Sequence, residues 1–130
     1  RNRTMINPQN RPVFLNIFRI RFPAGAVASI AHRISGVLLF LSWPFLAWLL
    51  DLSLQGPAGY DRVIELLQPT WVRLCSVLLA WSVLHHLIAG IRFLLIDIHL
   101  GVSMPAARIT AWSASIAGVL LALLYAWWVL

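Results

Sequence analysis

Three long apolar stretches dominate the chain, at about residues 24–50, 70–97 and 109–130. Each is about 20 residues or more in length, which is what an α-helix needs to cross the hydrocarbon core of a bilayer. The pattern predicts an all-α integral membrane protein with three transmembrane helices, forming one domain of residues 1–130. A composition that is 61% hydrophobic and only 11% charged fits that class and argues against an ordinary soluble domain.

Turn-forming residues separate the apolar stretches. Residues 52–69 predict a loop that contains a short amphipathic piece around residues 63–67, and His99, Gly101 and Pro105 predict a turn before the third span. Because the connections are short, we expect consecutive spans to run antiparallel.

The arm of residues 1–23 carries half of the positive charge. Every positive residue in the chain is arginine, and the arm contains Arg1, Arg3, Arg11, Arg19 and Arg21. Arginine concentrated before the first span is typical of a cytoplasmic segment, so the N-terminus is predicted to be cytoplasmic and the third span to end on the opposite side. The same placement, without interleaved aromatic residues, argues against nucleic-acid binding.

Two further observations limit the possibilities. The arm is interrupted by Pro8, Pro12 and Pro23, and no small-residue cleavage site follows a short apolar core, so we do not expect a signal peptide. Because Cys75 is the single cysteine of the sequence, we expect neither an intrachain disulfide nor a metal site built from cysteines.

Polar residues cluster near the start of the first span. Ser29, His32, Arg33 and Gly36 follow the spacing i, i+3, i+4 and i+7, which places them on one stripe of a helix. Because an ionisable group at the centre of a span costs roughly 2.5–3.5 kcal/mol on insertion scales, each such residue is a candidate functional group.

The second span has a matching polar face. His86 and Asp97 lie three helical turns apart and share a face with Gly90, while His85 points elsewhere. If the spans are antiparallel, the first polar cluster and the segment 92–97 lie at similar depth, with His86 about 9 Å further into the membrane.

These residue types suit a membrane redox site, although plainer interpretations are open. A neutral imidazole can ligate haem iron, and nearby cationic groups can neutralise propionates or hydrogen-bond a quinone carbonyl. Alternatively, Arg33 and Arg92 reach back to the interface, and His32 or His85 is satisfied by a hydrogen bond between helices.

Two motifs resemble a known family. Residues Ser29 to Gly36 have the pattern S-x-x-H-R-x-S-G, and His86 to Arg92, followed by Asp97, have the pattern H-x-x-x-G-x-R and then D. Both are similar to the cytochrome b556 subunits of succinate dehydrogenase, the larger membrane anchors of respiratory complex II. In related chains a histidine often follows the second motif, but this chain has Phe93 at that position. Any hydrogen bond from such a histidine to the haem edge is therefore absent.

The resemblance implies roles for individual residues. His86 would be one axial ligand of a haem b, His32 and Arg33 would lie near the haem propionates, and Ser29 and Arg33 would bind the quinone. For Asp97, a proton route to the quinone and a structural pairing with Arg92 or a partner's arginine are both open.

The resemblance also implies the surroundings. The chain would be the cytochrome b anchor of a succinate:ubiquinone oxidoreductase, sharing its haem with a second three-helix anchor and assembling with an iron–sulfur subunit and a flavoprotein subunit in the bacterial inner membrane. No nucleotide loop or cysteine cluster places flavin or iron–sulfur chemistry on this chain. The alternatives are a quinol:fumarate reductase anchor, a haem-free structural anchor and a small transporter.

Overall fold

The computed structural model describes residues 22–130, and this part of the chain contains four helices and no strand. They are α1 (Ala24–Leu54), α2 (Pro57–Leu67), α3 (Thr70–Asp97) and α4 (Met104–Val129). Three of them, α1, α3 and α4, are long and apolar enough to span a membrane. The prediction of an all-α protein with three spans is confirmed; the arginine-rich arm that underlies the predicted orientation lies almost wholly outside the described residues.

The helices extend beyond the predicted spans. α1 continues past residue 50 to Leu54, and α4 begins at Met104 rather than at residue 109. The sequence predicts Pro105 in the preceding turn, whereas the structure places it in the first turn of α4, where a helix needs no N–H donor. Hydropathy marks where apolar residues end, whereas helical hydrogen bonding can continue into polar sequence.

The loop predicted for residues 52–69 contains more helix than expected. Gly56 has a φ of +112°, a conformation that favours glycine, and the helix α2 begins directly after it at Pro57. On its exposed face, Arg62 Nη1 donates to Glu65 Oε2 at 2.8 Å. The amphipathic piece expected at residues 63–67 is therefore the second half of an 11-residue helix.

Helix α3 is the centre of the bundle. It packs against both α1 and α4, and α1 also contacts α4. The buried side of α4 consists of small residues: Ala111, Ala114, Gly118 and Ala122. Small residues at intervals of about four let helix backbones approach closely, which matters in lipid because the surrounding acyl chains are as apolar as the side chains.

Large apolar side chains point away from this core. Phe40, Trp43 and Trp127 are among the most exposed, at 78%, 71% and 88% of their possible surface. Such a surface would be unfavourable in water and is favourable against acyl chains. The tryptophans at the end of α4 are typical of the boundary between membrane and water.

Replacing Gly118 by valine is expected to destabilise the bundle. A Cβ at this position would lie 3.0 Å from His85 Cβ and 3.1 Å from His85 Cα, so the backbone of α3 would have to move. We expect a loss of about 1–3 kcal/mol of stability, typical of an overpacked core. A lower thermal denaturation midpoint of the purified complex would show it.

Ser113→Val on the exposed side of α4 is the control, because it adds a side chain of the same kind without a neighbouring helix in the way. Equal denaturation midpoints for the two variants would contradict the packing described for Gly118.

Candidate functional site

The polar residues of α1 and α3 meet where the two helices pack together. The ring of His86 lies against α1 beside Gly36, and a Cβ at Gly36 would lie 3.0 Å from His86 Cε1. That distance is shorter than a side chain tolerates without displacement, so glycine at this position gives the imidazole its space. The two motifs, fifty residues apart in the sequence, form one cluster.

His32 completes the centre of the cluster. Its ring stacks on that of His86, with 4.0 Å between centroids and 11° between planes. Its other neighbour is Phe93, whose ring meets it edge-on at 5.2 Å. The group that approaches Gly90 is His32 itself, since its Nε2 lies 3.5 Å from where a Cβ of Gly90 would be.

The Nδ1 atom of His86 has two oxygen neighbours on α1. The backbone carbonyl of His32 and the hydroxyl of Ser35 each lie 3.1 Å from it. The Ser35 hydroxyl also donates to the His32 carbonyl, at 2.8 Å. Nε2 of His86 forms no hydrogen bond within residues 22–130. Unlike the ring nitrogens of His85, it is not buried within that range.

His85 is in a different environment from His86. Only 1% of its surface is exposed, and it lies in the core with Gly118 of α4 against its backbone. Its ring stacks on Trp81 with centroids 5.4 Å apart, and neither of its ring nitrogens has a hydrogen-bond partner within residues 22–130. The helical spacing placed the two histidines on different faces, and the structure shows that only His86 has a ring nitrogen open to a group outside the bundle.

Arg92 joins α3 to the start of α4. Its Nε donates to Thr110 Oγ1 at 3.1 Å and its Nη2 donates to the Ala107 carbonyl at 2.9 Å, and the side chain is almost wholly buried. No local pattern in α3 indicates this contact, because both acceptors belong to α4. From the sequence alone, a pairing with Asp97 and a position at the membrane interface are the alternatives for Arg92.

Asp97, the last residue of α3, is exposed. Within residues 22–130 the one ion pair joins Arg62 to Glu65, so the pairing of Arg92 with Asp97 is not formed. Asp97 has no ion-pair partner in that range, and both its suggested part in a proton route and a pairing with a partner's arginine stay predictions.

Ser29 and Arg33 lie one turn apart in the first third of α1. Ser29 is half-buried and Arg33 is exposed, and neither side chain forms a hydrogen bond with another residue of the range 22–130. Their donors are therefore unengaged within the part of the chain that the structure describes. Such donors are available to a group outside the described residues.

A cavity of about 840 Å³ lies at the same end of the bundle. It is bounded by the start of α1, by Arg92, and by the first turns of α4 including Arg108 and Trp112. Ser29 and Arg33 do not line it. The cavity and the two candidate quinone-binding residues are thus separate features of this end of the protein.

Comparison with known proteins identifies the family. The family model described as "Succinate dehydrogenase/Fumarate reductase transmembrane subunit" matches residues 7–126. The chain belongs to this family. The resemblance seen in the two motifs is thereby confirmed over almost the whole chain.

Three curated relatives share the name succinate dehydrogenase cytochrome b556 subunit. The protein of Coxiella burnetii is 33% identical over 120 residues, covering 92% of this chain and 96% of the relative. The protein of Rickettsia felis is 34% identical over 111 residues, covering 85% of this chain and 84% of the relative. That of Paracoccus denitrificans is 27% identical over 123 residues, covering 92% of each chain.

Membership of the succinate dehydrogenase/fumarate reductase transmembrane subunit family has two consequences. The chain is a transmembrane subunit of an enzyme complex, since the family description names that complex. Its three apolar helices and its bacterial relatives make it a multi-pass protein of the inner membrane.

Proposed function

We propose that this chain is the cytochrome b anchor of a succinate:ubiquinone oxidoreductase, with His86 as one axial ligand of a haem b and with Ser29 and Arg33 as part of the quinone-reduction site. The observation that carries the proposal is the hydrogen bonding of His86. Its Nδ1 faces oxygen atoms of α1 while its Nε2 is unengaged within the described chain.

The residues around His86 fit a haem ligand. A backbone carbonyl is only an acceptor, so the 3.1 Å contact with the His32 carbonyl requires the proton of the imidazole on Nδ1. The lone pair is then on Nε2, which is the form of histidine that binds a metal. A carbonyl acceptor behind a ligating imidazole is the usual outer-shell partner of such residues.

The second axial ligand would come from a partner. His85 is enclosed in the core, and His32 lies parallel to His86 at 4.0 Å, so its ring stands beside that of His86 rather than opposite it. A haem held by one histidine of this chain and one of a second helical subunit would fit a site at the interface between them. When bound, the haem would supply one-electron transfer near the quinone.

The quinone-binding roles follow from donor chemistry. The Ser29 hydroxyl and the Arg33 guanidinium are adjacent along one side of α1 and unengaged within residues 22–130. Both can donate hydrogen bonds to a quinone oxygen, and such bonds strengthen as negative charge develops there during reduction. Arg33, with His32, would also face the haem propionates, because guanidinium and carboxylate form strong charge-assisted hydrogen bonds.

The succinate-oxidising direction is favoured by the relatives, whose shared name is that of a succinate dehydrogenase subunit. In this assignment a flavoprotein subunit would oxidise succinate, an iron–sulfur subunit would carry the electrons, and this chain with a second three-helix anchor would bind ubiquinone.

The test is to purify the complex through this chain and record dithionite-reduced minus oxidised visible spectra together with both steady-state rates. We expect b-type absorbance and succinate:quinone turnover that exceeds quinol:fumarate turnover. An assembled complex without b-type absorbance would support a haem-free anchor, and the opposite ratio of rates would support a fumarate reductase anchor.

A further inference from the structure

We infer that Ser35 is a positioning residue for the metal ligand, whose hydroxyl accepts a hydrogen bond from Nδ1–H of His86 and holds that imidazole with Nε2 toward the haem iron. The inference rests on the proposed role of His86. It gives a role to the second serine of the S-x-x-H-R-x-S-G motif, which takes part in neither haem ligation nor quinone binding.

The hydroxyl of Ser35 is completely buried and has its proton committed. Its Oγ lies 2.8 Å from the His32 carbonyl oxygen, to which it donates. A hydroxyl has one proton and two lone pairs, so toward His86 it can only accept. The 3.1 Å contact between Oγ and Nδ1 is therefore a hydrogen bond from the imidazole to the serine.

The His32 carbonyl alone would hold the imidazole less firmly than its 3.1 Å contact suggests, because other donors also use that oxygen. As a residue within α1, it accepts the helical hydrogen bond from the N–H four residues later, in addition to the Ser35 hydroxyl. A carbonyl oxygen has two lone pairs, so His86 is a third donor at that atom. Ser35 supplies an acceptor with free capacity at the same distance.

Gly36 gives the arrangement its geometry. The serine can reach Nδ1 only because the ring of His86 lies directly against the next residue of α1, where a Cβ would be 3.0 Å from Cε1 and 3.4 Å from Nδ1. The adjacent Ser35 and Gly36 thus act together. Gly36 leaves space for the ring, and Ser35 offers the protonated Nδ1 a second acceptor.

The consequence for the haem can be measured. An acceptor on Nδ1–H orients a ligating imidazole and raises its basicity, and loss of such a partner typically lowers metal affinity by about 10–100-fold. A more basic axial ligand favours the ferric state, so removing the acceptor should raise the haem midpoint potential.

The experiment compares Ser35→Ala, Ser35→Thr and Ser42→Ala in the assembled complex. Ser42 is the matched control, because it lies two turns further along the same side of α1. Its hydroxyl makes the same bond to the carbonyl three residues back, at 2.8 Å, and forms no bond to another helix within residues 22–130. The readouts are haem content by pyridine haemochrome, midpoint potential, and electron paramagnetic resonance of the ferric haem.

We expect Ser35→Ala to lose haem affinity by about tenfold or more, to shift the potential upward and to change the g values, as loss of an outer-shell partner does. Ser35→Thr keeps a hydroxyl and should stay close to wild type, as should Ser42→Ala. The inference is overturned if Ser35→Ala matches Ser42→Ala in all three readouts, or if the threonine variant shows the same changes as the alanine variant.

His86→Ala separates this inference from the function on which it rests. If the haem survives that substitution, the proposed ligand is wrong. If the haem is lost with His86→Ala while Ser35→Ala behaves as wild type, only the positioning role fails.

Discussion

Replacement of His86 by alanine is expected to abolish the b-type absorbance of the purified complex. The substitution removes the one imidazole of the α1–α3 cluster whose Nδ1 is bonded to oxygen acceptors and whose Nε2 is unengaged within the described chain. It is also a mild change structurally, because His86 is only half-buried and packs beside Gly36. The complex should therefore assemble, and its reduced minus oxidised spectrum should lose the haem signal.

His85→Leu is the control for that experiment. Leucine is apolar and of similar size, so it keeps the core between α3 and α4 filled. Because both ring nitrogens of His85 are buried and have no partner within residues 22–130, we expect stability to stay the same or rise by about 1–3 kcal/mol. If the His86→Ala complex retains haem, or if a stably assembled His85→Leu complex loses it, the ligand must be assigned to a residue other than His86.

Replacement of Arg33 by glutamine is expected to lower quinone reduction by about 10²–10³-fold, the usual loss when a donor to a developing oxyanion is removed. Arg33 is exposed and unengaged within residues 22–130, so its loss leaves no buried partner unsatisfied. Succinate oxidation with an artificial acceptor that takes electrons before the quinone should continue at the wild-type rate. Steady-state assays with the two acceptors measure the difference.

Arg73→Gln provides the matched arginine variant. Arg73 lies near the start of α3, at the opposite end of the bundle, and donates to Gln68 at 2.7 Å. Its replacement should leave both assays unchanged. The quinone-binding role of Arg33 would be excluded if Arg33→Gln and Arg73→Gln reduced quinone equally well, or if Arg33→Gln slowed both acceptors alike.

Much of the architecture could be predicted because it depends on local sequence. A helix that crosses a membrane must be apolar over about 20 consecutive residues, so the three spans are visible in the hydropathy pattern alone. The separation of His85 from His86 could also be predicted, since neighbouring residues differ by about 100° around a helix. The same rule placed Ser29, His32 and Arg33 on one side of α1 before any contact was known.

The contacts between helices could not be predicted in this way. Nothing in the sequence of α3 around Arg92 indicates that its side chain donates to Thr110 and Ala107 of α4. An arginine near the end of a span is equally compatible with the interface, with an acidic partner or with a neighbouring helix. The structure decided among these because it places the start of α4 beside the end of α3.

The sequence by itself determined the class of protein, the number of spans and the residues with the chemistry for a redox site. Only the tertiary structure decided that His32 stacks on His86, that Ser35 and the His32 carbonyl face Nδ1, and that His85 is enclosed against Gly118. The physical reason is that hydropathy and helical periodicity are properties of a single helix. The partner of a buried polar group depends on how two helices are rotated and shifted against each other, and many distant residues determine that together.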